Sequence, residues 1–205
     1  MKHYLQSFAL AVGAGISIAI GGTIFLSIES RIIGALFFTV GLYLIVTGGL
    51  NLYTGKVGYL PGADREYPCF LLVVWLGNLA GTFLAAEAVR RTRIGAIAEQ
   101  AQRICAGKLA DEPLSLFLLA VFCGILMYGA VDGYKRTQNP ILLFLCVSVF
   151  ILAGFEHCVA NMYYFSLARA WSGKAFLYLV IVTLGNSAGG VLFPLLHLRE
   201  NEEVP

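Results

Sequence analysis

Residues 152–162 read Leu-Ala-Gly-Phe-Glu-His-Cys-Val-Ala-Asn-Met, and they interrupt one of the longest apolar stretches of the chain. A glycine followed closely by a glutamate and a histidine is unsuited to a helix that faces lipid. Irregular backbone at membrane depth is tolerated only where it is buried in protein or lines a water-filled cavity. Ionisable side chains at that depth normally serve an ion pathway or a proton relay. The stretch therefore predicts a broken membrane helix with His157 in a functional position.

The composition around this stretch is that of an integral membrane protein. Of the 205 residues, 59% are hydrophobic and 13% are charged, whereas soluble domains carry about 25% charged residues. Apolar segments lie at 7–28, 32–50, 70–89, 114–134, 141–170 and 174–198. Each reaches the length of about 18 residues that a bilayer core about 30 Å thick requires. We therefore predict an all-α integral membrane protein with six transmembrane helices in contact with the lipid bilayer.

Charge and cysteine usage exclude several other classes. The net charge of +2 is small and no basic cluster alternates with aromatic residues, so we expect no nucleic-acid partner. The five cysteines are scattered and form no C-x-x-C pair, which predicts neither a metal site nor a cofactor, only small apolar fillers. No catalytic residue is predicted. Lysine and arginine divide almost evenly between the two sides of the membrane, so charge alone leaves the orientation open.

The two halves of the chain repeat each other weakly. The motif Gly-Asn-Leu-Ala-Gly at 77–81 returns 108 residues later as Gly-Asn-Ser-Ala-Gly at 185–189. Two units of three helices each must have opposite topology, and inverted repeats are typical of transporters. The predicted organisation is one domain, with repeat one at 1–89, an interfacial linker at 90–113, repeat two at 114–198 and a charged tail at 199–205. The alternative is that small residues recur wherever membrane helices pack closely.

The second apolar segment is interrupted in the same way as the fifth. Residues 47–56 contain two adjacent glycines, an asparagine and Lys56, after which apolar sequence resumes. Interruptions at corresponding places of two repeats indicate the substrate pathway. Between the repeats, apolar residues recur at helical spacing, which predicts a short amphipathic helix at the membrane interface. They are Ile94, Ile97, Ala98, Ala101 and Ile104.

These motifs together resemble one family. The string at 154–162 is similar to the G-F-E-H-[S/C]-[V/I]-A-N-M motif of the formate/nitrite transporter family. The family's L-F-T motif is present as Leu-Tyr-Thr at 52–54, its G-I-L motif at 124–126, and its G-N-x-x-G motifs at 77–81 and 185–189. The resemblance covers nearly the whole chain. It implies a homopentamer in which each protomer has an aquaporin-like fold and encloses its own pore.

The resemblance also implies which residues line the pore. Phe38 and Phe150 match the aromatic residues of the two constrictions. Leu52 and Thr54 match the loop that interrupts the second helix, and His157 matches the central pore histidine. Histidine is the side chain whose unperturbed pKa lies closest to physiological pH, so it suits a proton-transfer role.

Three positions depart from the family pattern. Tyr128 stands where the family usually has an asparagine that holds the histidine, although a tyrosine hydroxyl can also form hydrogen bonds. The family's lysine near the start of the fourth segment has no ungapped counterpart, but Lys108 can replace it if four residues are inserted. Lys56 stands where a neutral polar residue is common, and is either a solvated loop lysine or an anion-attracting charge. These departures leave the identity of the anion open.

Two further residues of the fifth-segment motif are candidates of second rank. Glu156 either ties down the broken backbone or acts in the pathway, by tuning His157 or by attracting a cation. Asn161 follows in the same motif and is expected near the pore.

The expected function is a channel or transporter for small monovalent weak-acid anions in the inner (plasma) membrane, with formate or nitrite favoured. The same fold carrying hydrosulfide is the nearest alternative. A membrane-anchoring or haem-binding subunit of an enzyme is an alternative of a different class, although only His157 lies deep in an apolar segment. A purely structural membrane protein is disfavoured, because it has no need of a deep Glu-His pair and two broken helices.

Overall fold

The computed structural model describes the backbone of residues 2–202 and the side chains of residues 3–196, and within that range every regular element is helical. The helices are α1 (Lys2–Ser27), α2 (Arg31–Thr47), α3 (Tyr53–Lys56), α4 (Tyr67–Arg90), α5 (Ile97–Ala110), α6 (Pro113–Thr137), α7 (Ile141–Ala153), α8 (Cys158–Ala168) and α9 (Gly173–Glu202), with one 3₁₀ turn at Val57–Tyr59. The charged tail expected at 199–205 lies partly outside the described residues. As far as residue 202 its backbone continues α9.

Four of the described helices, α1, α4, α6 and α9, are long and apolar enough to cross a membrane, and the bent pair α7–α8 is a fifth candidate. Helix α2 is apolar but has 17 residues, so at 1.5 Å per residue it is about 26 Å long, which is less than a hydrocarbon core of about 30 Å. Large apolar side chains face outward along the long helices, among them Leu72, Phe83, Leu118 and Leu184. Such surfaces suit contact with lipid tails.

The second apolar segment ends as a helix at Thr47, three residues earlier than its composition suggests. Gly49 has a φ of 63°, in the left-handed region where only glycine is comfortable, so the helix cannot continue through it. The chain then extends through Leu52 and resumes as the single turn α3. The second segment is therefore interrupted, as its glycine pair predicts.

The fifth apolar segment is broken between α7 and α8, whose axes differ by 55°. Gly154 ends α7 with a φ of 78°, again in the left-handed region. His157 is extended, with φ −114° and ψ 118°, and forms the N-cap of α8. The predicted break thus falls at the quoted Gly-Phe-Glu-His stretch.

Glycines bring two pairs of long helices into backbone contact. In the α1–α4 pair, a Cβ on Gly15 would collide with the carbonyl oxygen of Asn78, and in the α6–α9 pair a Cβ on Gly124 would collide with that of Asn186. Helix α8 also packs against α4, while the 3₁₀ turn packs against α9. This arrangement brings the short helices α3 and α8 into contact with each other.

A helix is present in the linker, where α5 packs against α8. Ala101 and Cys105 are its buried residues, whereas Ile94 precedes the helix and is exposed. Burial raises the pKa of the Cys105 thiol to about 12. The positive charge of Lys108 acts to lower this pKa, and the negative charge of Glu156 acts to raise it. The thiol is therefore protonated at neutral pH and serves as a small apolar contact.

Candidate functional site

A cavity of about 320 Å³ opens between the α1–α2 corner, α5, α7 and α8. Its aromatic lining residues are Phe25, Phe38, Phe150, Phe155 and Tyr164. Its polar and charged lining residues are Glu29, Arg31, Gln100, Lys108, His157 and Asn161. The cavity therefore combines apolar walls with a few polar groups, which is the usual composition of a binding site for a small molecule.

His157 is buried at the base of this cavity, and both of its ring nitrogens are hydrogen-bonded. The backbone N–H of Ala160 donates to Nδ1 over 3.1 Å, and Nε2 lies 2.9 Å from Thr54 Oγ1. Since Nδ1 accepts a hydrogen bond, the ring proton is on Nε2, and Nε2 donates to the threonine oxygen. The Thr54 hydroxyl hydrogen then remains available to donate to a further acceptor.

Two phenylalanine rings stand next to the histidine. Phe150 stacks on His157, with ring centroids 5.6 Å apart and an interplanar angle of 23°. Phe38 meets Phe150 edge to face, with centroids 6.0 Å apart. Both phenylalanines are buried, so α2 and α7 contribute facing aromatic rings beside the imidazole. Sequence comparison assigned Phe38 and Phe150 to two separate constrictions, whereas here the two rings are in direct contact.

Glu156 is held away from His157 by a set of its own partners. Its Oε1 lies 2.6 Å from Lys108 Nζ, and its Oε2 accepts from Asn161 Nδ2 over 2.7 Å. Lys108 reaches the carboxylate from α5, so the linker helix is bound to the break in the fifth segment. The remaining oxygen of Asn161, Oδ1, is buried on the cavity wall without a hydrogen-bond partner among the described residues.

Asn186 fixes the start of α8, a role that sequence reasoning missed. Its Oδ1 accepts from the N–H of Cys158 over 2.8 Å, while its Nδ2 donates to the carbonyl oxygens of Ala120 and Glu156. The side chain is fully buried, so these bonds have no competition from water. One amide therefore ties α6, the break and the first turn of α8 together, directly beside His157.

Asn78 fixes the start of α3 in the way that Asn186 fixes the start of α8. Its Oδ1 accepts from the N–H of Tyr53 over 2.9 Å, and its Nδ2 donates to the carbonyl oxygens of Ala11 and Asn51. The signal is present in the repeated Gly-Asn motif, which indicates internal repetition and the family resemblance but does not by itself indicate this contact. A buried asparagine has two donors and an acceptor to satisfy, and an interrupted helix supplies the backbone groups that satisfy them.

A second, smaller cavity of about 80 Å³ lies at the other end of α2. Its lining includes Leu52, Gly55, Lys56, Val131 and Lys135. The larger cavity reaches the first residue of α2, whereas the smaller one reaches the last turn, about 20 Å further along at 1.5 Å per residue. The tip of α3 separates the two cavities, because Leu52 lines the smaller one and Thr54 bonds to the histidine of the larger one.

Tyr128 does not take the place that sequence comparison assigned to it. It does not line the larger cavity, and no hydrogen bond among the described residues joins it to His157. Its ring lies 6.1 Å from that of Tyr59 and fills the space beside Gly58. The reason is helical geometry: Tyr128 is one turn after Gly124, so it shares the face of α6 that packs against α9 and the 3₁₀ turn.

The described residues contain no group of three or more histidine, cysteine, aspartate or glutamate side chains that could hold a metal ion. All five cysteines are free thiols, and only Cys69 is exposed.

Comparison with known proteins finds a matching family and several named relatives. The family described as Formate/nitrite transporter matches residues 1–198. The formate channel FocA of Escherichia coli K12 is 25% identical over 255 residues, covering 98% of this chain and 90% of the relative. The nitrite transporter NirC of the same strain is 27% identical over 206 residues, covering 89% of this chain and 76% of the relative.

Two solved structures share this fold. A pentameric formate channel with formate bound superposes with a TM-score of 0.86 and 27% identity, and the match covers 98% of each chain. An ion channel of the FNT family matches with a TM-score of 0.78 and 24% identity, covering 98% of this chain and 90% of that chain. The all-helical fold with four to five apolar spans is therefore that of a multi-pass membrane protein similar to pentameric channels.

Proposed function

The chain belongs to the formate/nitrite transporter family, and from that premise we propose that it carries small monovalent weak-acid anions, formate or nitrite, across a membrane. The observation that carries the proposal is the 2.9 Å hydrogen bond between Thr54 and His157. It joins the tips of α3 and α8 at the base of the larger cavity, where an anion can meet a hydroxyl and an imidazole together. Hydrosulfide is the alternative substrate of the same pore. In this role the chain is a transporter and not an enzyme.

The proposed route runs from the larger cavity, past His157 and Thr54, to the smaller cavity. Phe38 and Phe150 form the apolar wall on one side of the site, and Leu52 forms it on the other. Support for the route comes from the two cavities, which lie at opposite ends of α2. The hydrogen bond between Thr54 and His157 joins α3, which lines the smaller cavity, to the histidine of the larger one.

The apolar walls determine what can pass. Moving an ion from water into a poorly polarisable interior costs several kcal/mol even after the protein relaxes. The Thr54 hydroxyl offsets part of that cost by donating to the anion, since its own oxygen is already occupied by the proton of His157 Nε2. Divalent anions receive the same single donor but carry a greater desolvation cost, because their charge is doubled. The site therefore favours monovalent anions.

Proton transfer from His157 to the anion is the further part of this proposal. A neutral imidazole has one proton, on Nε2, and losing it would leave an imidazolate. Transfer therefore needs a second proton on Nδ1, and that proton must displace the Ala160 N–H from Nδ1. The protonated ring can then pass its Nε2 proton to Thr54 Oγ1 while the hydroxyl proton moves to the anion. The substrate leaves the site as the neutral weak acid.

We propose that Lys108, Glu156 and Asn161 support the site and do not carry the anion. The buried carboxylate is neutralised by Lys108, so it does not repel an anion in the same cavity. Asn161 Oδ1 is an acceptor, so it can receive a hydrogen bond from a protonated substrate but not from the bare anion.

The proposed architecture is two inverted repeats of three membrane helices, at 1–89 and 114–198, joined by the linker at 90–113. The second span is α2 with α3, and the fifth is α7 with α8. Support comes from Asn78 and Asn186, which lie 108 residues apart and make the same three kinds of contact: to the first amide of a short helix, to a carbonyl just before it, and to a carbonyl in the neighbouring long helix.

A homopentamer in the inner (plasma) membrane is the proposed assembly. The pentameric formate channel that superposes on this chain supports it. The outer faces of α4 and α9 also expose Leu72, Leu76, Phe176 and Leu184, which suit a neighbouring protomer or lipid. A haem-anchoring role has no support, because both ring nitrogens of His157 are hydrogen-bonded.

Flux through proteoliposomes tests this function. Formate, nitrite, hydrosulfide, acetate and chloride are compared at an acidic and a neutral pH, with His157→Asn as the test variant and His3→Asn, an exposed histidine, as the matched control. We expect one weak-acid anion to dominate, its flux to rise on acidification, and His157→Asn to lose that rise while His3→Asn keeps it. Wild-type flux and pH response in His157→Asn would contradict the proposal.

A further inference from the structure

The two cavities differ in free charge. In the larger one, Lys108 is neutralised by Glu156 at 2.6 Å. Arg31 donates to the carbonyl oxygens of Ile151 and Leu152, over 3.3 and 3.1 Å, and so caps the negative end of α7. Lys108 is therefore neutralised, and the guanidinium of Arg31 is held by hydrogen bonds against the end of α7.

The smaller cavity has two lysines without such acceptors. Lys56 and Lys135 both line it, and neither forms an ion pair within the described part of the chain. The nearby carboxylate of Asp132 is occupied, because Arg136 Nε lies 2.7 Å from one oxygen and the Tyr59 hydroxyl donates to the other over 3.2 Å. Lys135 Nζ instead lies 4.1 Å from the centre of the Tyr59 ring. A ring face orients an ammonium group without neutralising its charge.

We infer that Lys56 and Lys135 form a capture site for one small monovalent anion in the smaller cavity. This cavity is the mouth of the proposed route that lies opposite the larger cavity. The inference rests on the proposed function and adds a binding step to it. The cavity of about 80 Å³ has room for two to three water molecules at about 30 Å³ each, which matches an anion of about three heavy atoms such as formate or nitrite. Leu52 and Gly55 form part of the same wall, so a captured anion waits directly beside the partition that contains Thr54.

The expected effect is an asymmetry between the two sides of the protein. A unit charge about 6 Å away in a water-like medium raises the local concentration of a monovalent anion about threefold, so two lysines together raise it about tenfold. The larger cavity has no equivalent free pair. The half-saturating anion concentration is therefore lower at the Lys56 mouth than at the other mouth. The final distribution of the anion across the membrane is unaffected.

The experiment measures formate flux into proteoliposomes as a function of formate concentration, at ionic strengths of about 0.01 M and about 0.15 M set with potassium gluconate. These conditions change the screening length from about 30 Å to about 8 Å. The variants are K56Q, K135Q, the double variant, and the charge-preserving K56R/K135R. K174Q is the matched control, because Lys174 lies over the Tyr178 ring and lines neither cavity.

At low ionic strength we expect the double variant to raise the half-saturating formate concentration about tenfold, and each single variant about threefold. In the double variant the half-saturating concentration should no longer depend on ionic strength. K56R/K135R and K174Q should behave like wild type. A double variant with the wild-type half-saturation and salt response would overturn the capture site. A wild-type protein without formate or nitrite flux, or a fully active His157→Asn, would instead overturn the proposed function. The charge-preserving variant separates a lost charge from a misfolded channel.

Discussion

Replacing Thr54 with valine removes the hydroxyl of the central hydrogen bond and keeps the branched shape of the side chain. Thr54 is 1% exposed, so water cannot substitute for the missing oxygen. His157 Nε2 then loses its partner, since its other nitrogen is already engaged by Ala160. The variant also lacks the donor that we propose for the passing anion.

The magnitude follows from the cost of one unsatisfied buried group. Such a group costs about 1–3 kcal/mol, and if that cost appears in the barrier to transport, flux falls by about five- to 150-fold. Thr54→Ser is the control. It keeps the oxygen and loses one methyl group, so we expect it to stay within about fivefold of wild type.

The assay is the initial rate of formate flux in proteoliposomes at saturating formate, with Thr54→Val, Thr54→Ser and wild type at equal protein density. The oligomer of each variant is checked by size-exclusion chromatography before reconstitution. A Thr54→Val protein that elutes as wild type does and conducts within about twofold of it would refute the reasoning, because the hydrogen bond would then contribute nothing to transport.

Two further predictions concern stability and are checked by thermal unfolding of the purified protein. Lys108→Met leaves the buried carboxylate of Glu156 without its cation and should destabilise the protein by about 3–5 kcal/mol. The double variant with Glu156→Gln should recover most of that loss. Equal unfolding midpoints for Lys108→Met and wild type would contradict the buried pair. Gly189→Ala should destabilise by about 1–3 kcal/mol because its Cβ collides with the carbonyl oxygen of Val121. Gly107→Ala, where an added Cβ meets nothing on an exposed helix, should instead stabilise by about 0.5–1 kcal/mol; the same sign for both glycine variants would count against close contact of α6 and α9.

The fold was largely predictable from composition and glycine placement. Each of the six apolar segments contains helix, although among the described residues only four helices, or five with the bent pair α7–α8, are long and apolar enough to cross a membrane. Both interruptions lie where glycine accompanies polar residues: at Gly49 in the second segment and at Gly154 in the fifth. These signals are local, because a left-handed backbone needs glycine wherever it occurs. The glycine pair also explains why α2 ends at Thr47. An apolar composition averaged over the whole segment does not show this, because the glycines are counted together with the apolar residues around them.

The site was predictable only in part, because its partners are brought together by packing. The pairing of Lys108 with Glu156 depends on how α5 lies across α8, which no spacing along the chain indicates. Tyr128 was expected beside His157 from its place in a motif. It faces Tyr59 instead, since the Gly124 contact fixes which side of α6 turns toward α9.

The asparagine contacts also bear on the order in which the protein is made. Asn78 is 25 residues from the amide that it binds, and Asn186 is 28 residues from its own, whereas Thr54 and His157 are 103 residues apart. Each asparagine can therefore close its contact within its own half soon after synthesis, while the bond between Thr54 and His157 waits for both halves to dock. A chain halted after α4 has a finished short helix but lacks His157 and the opposing wall. In terms of the proposed route, nascent chains thus have no complete anion path to leak through until α8 is in place.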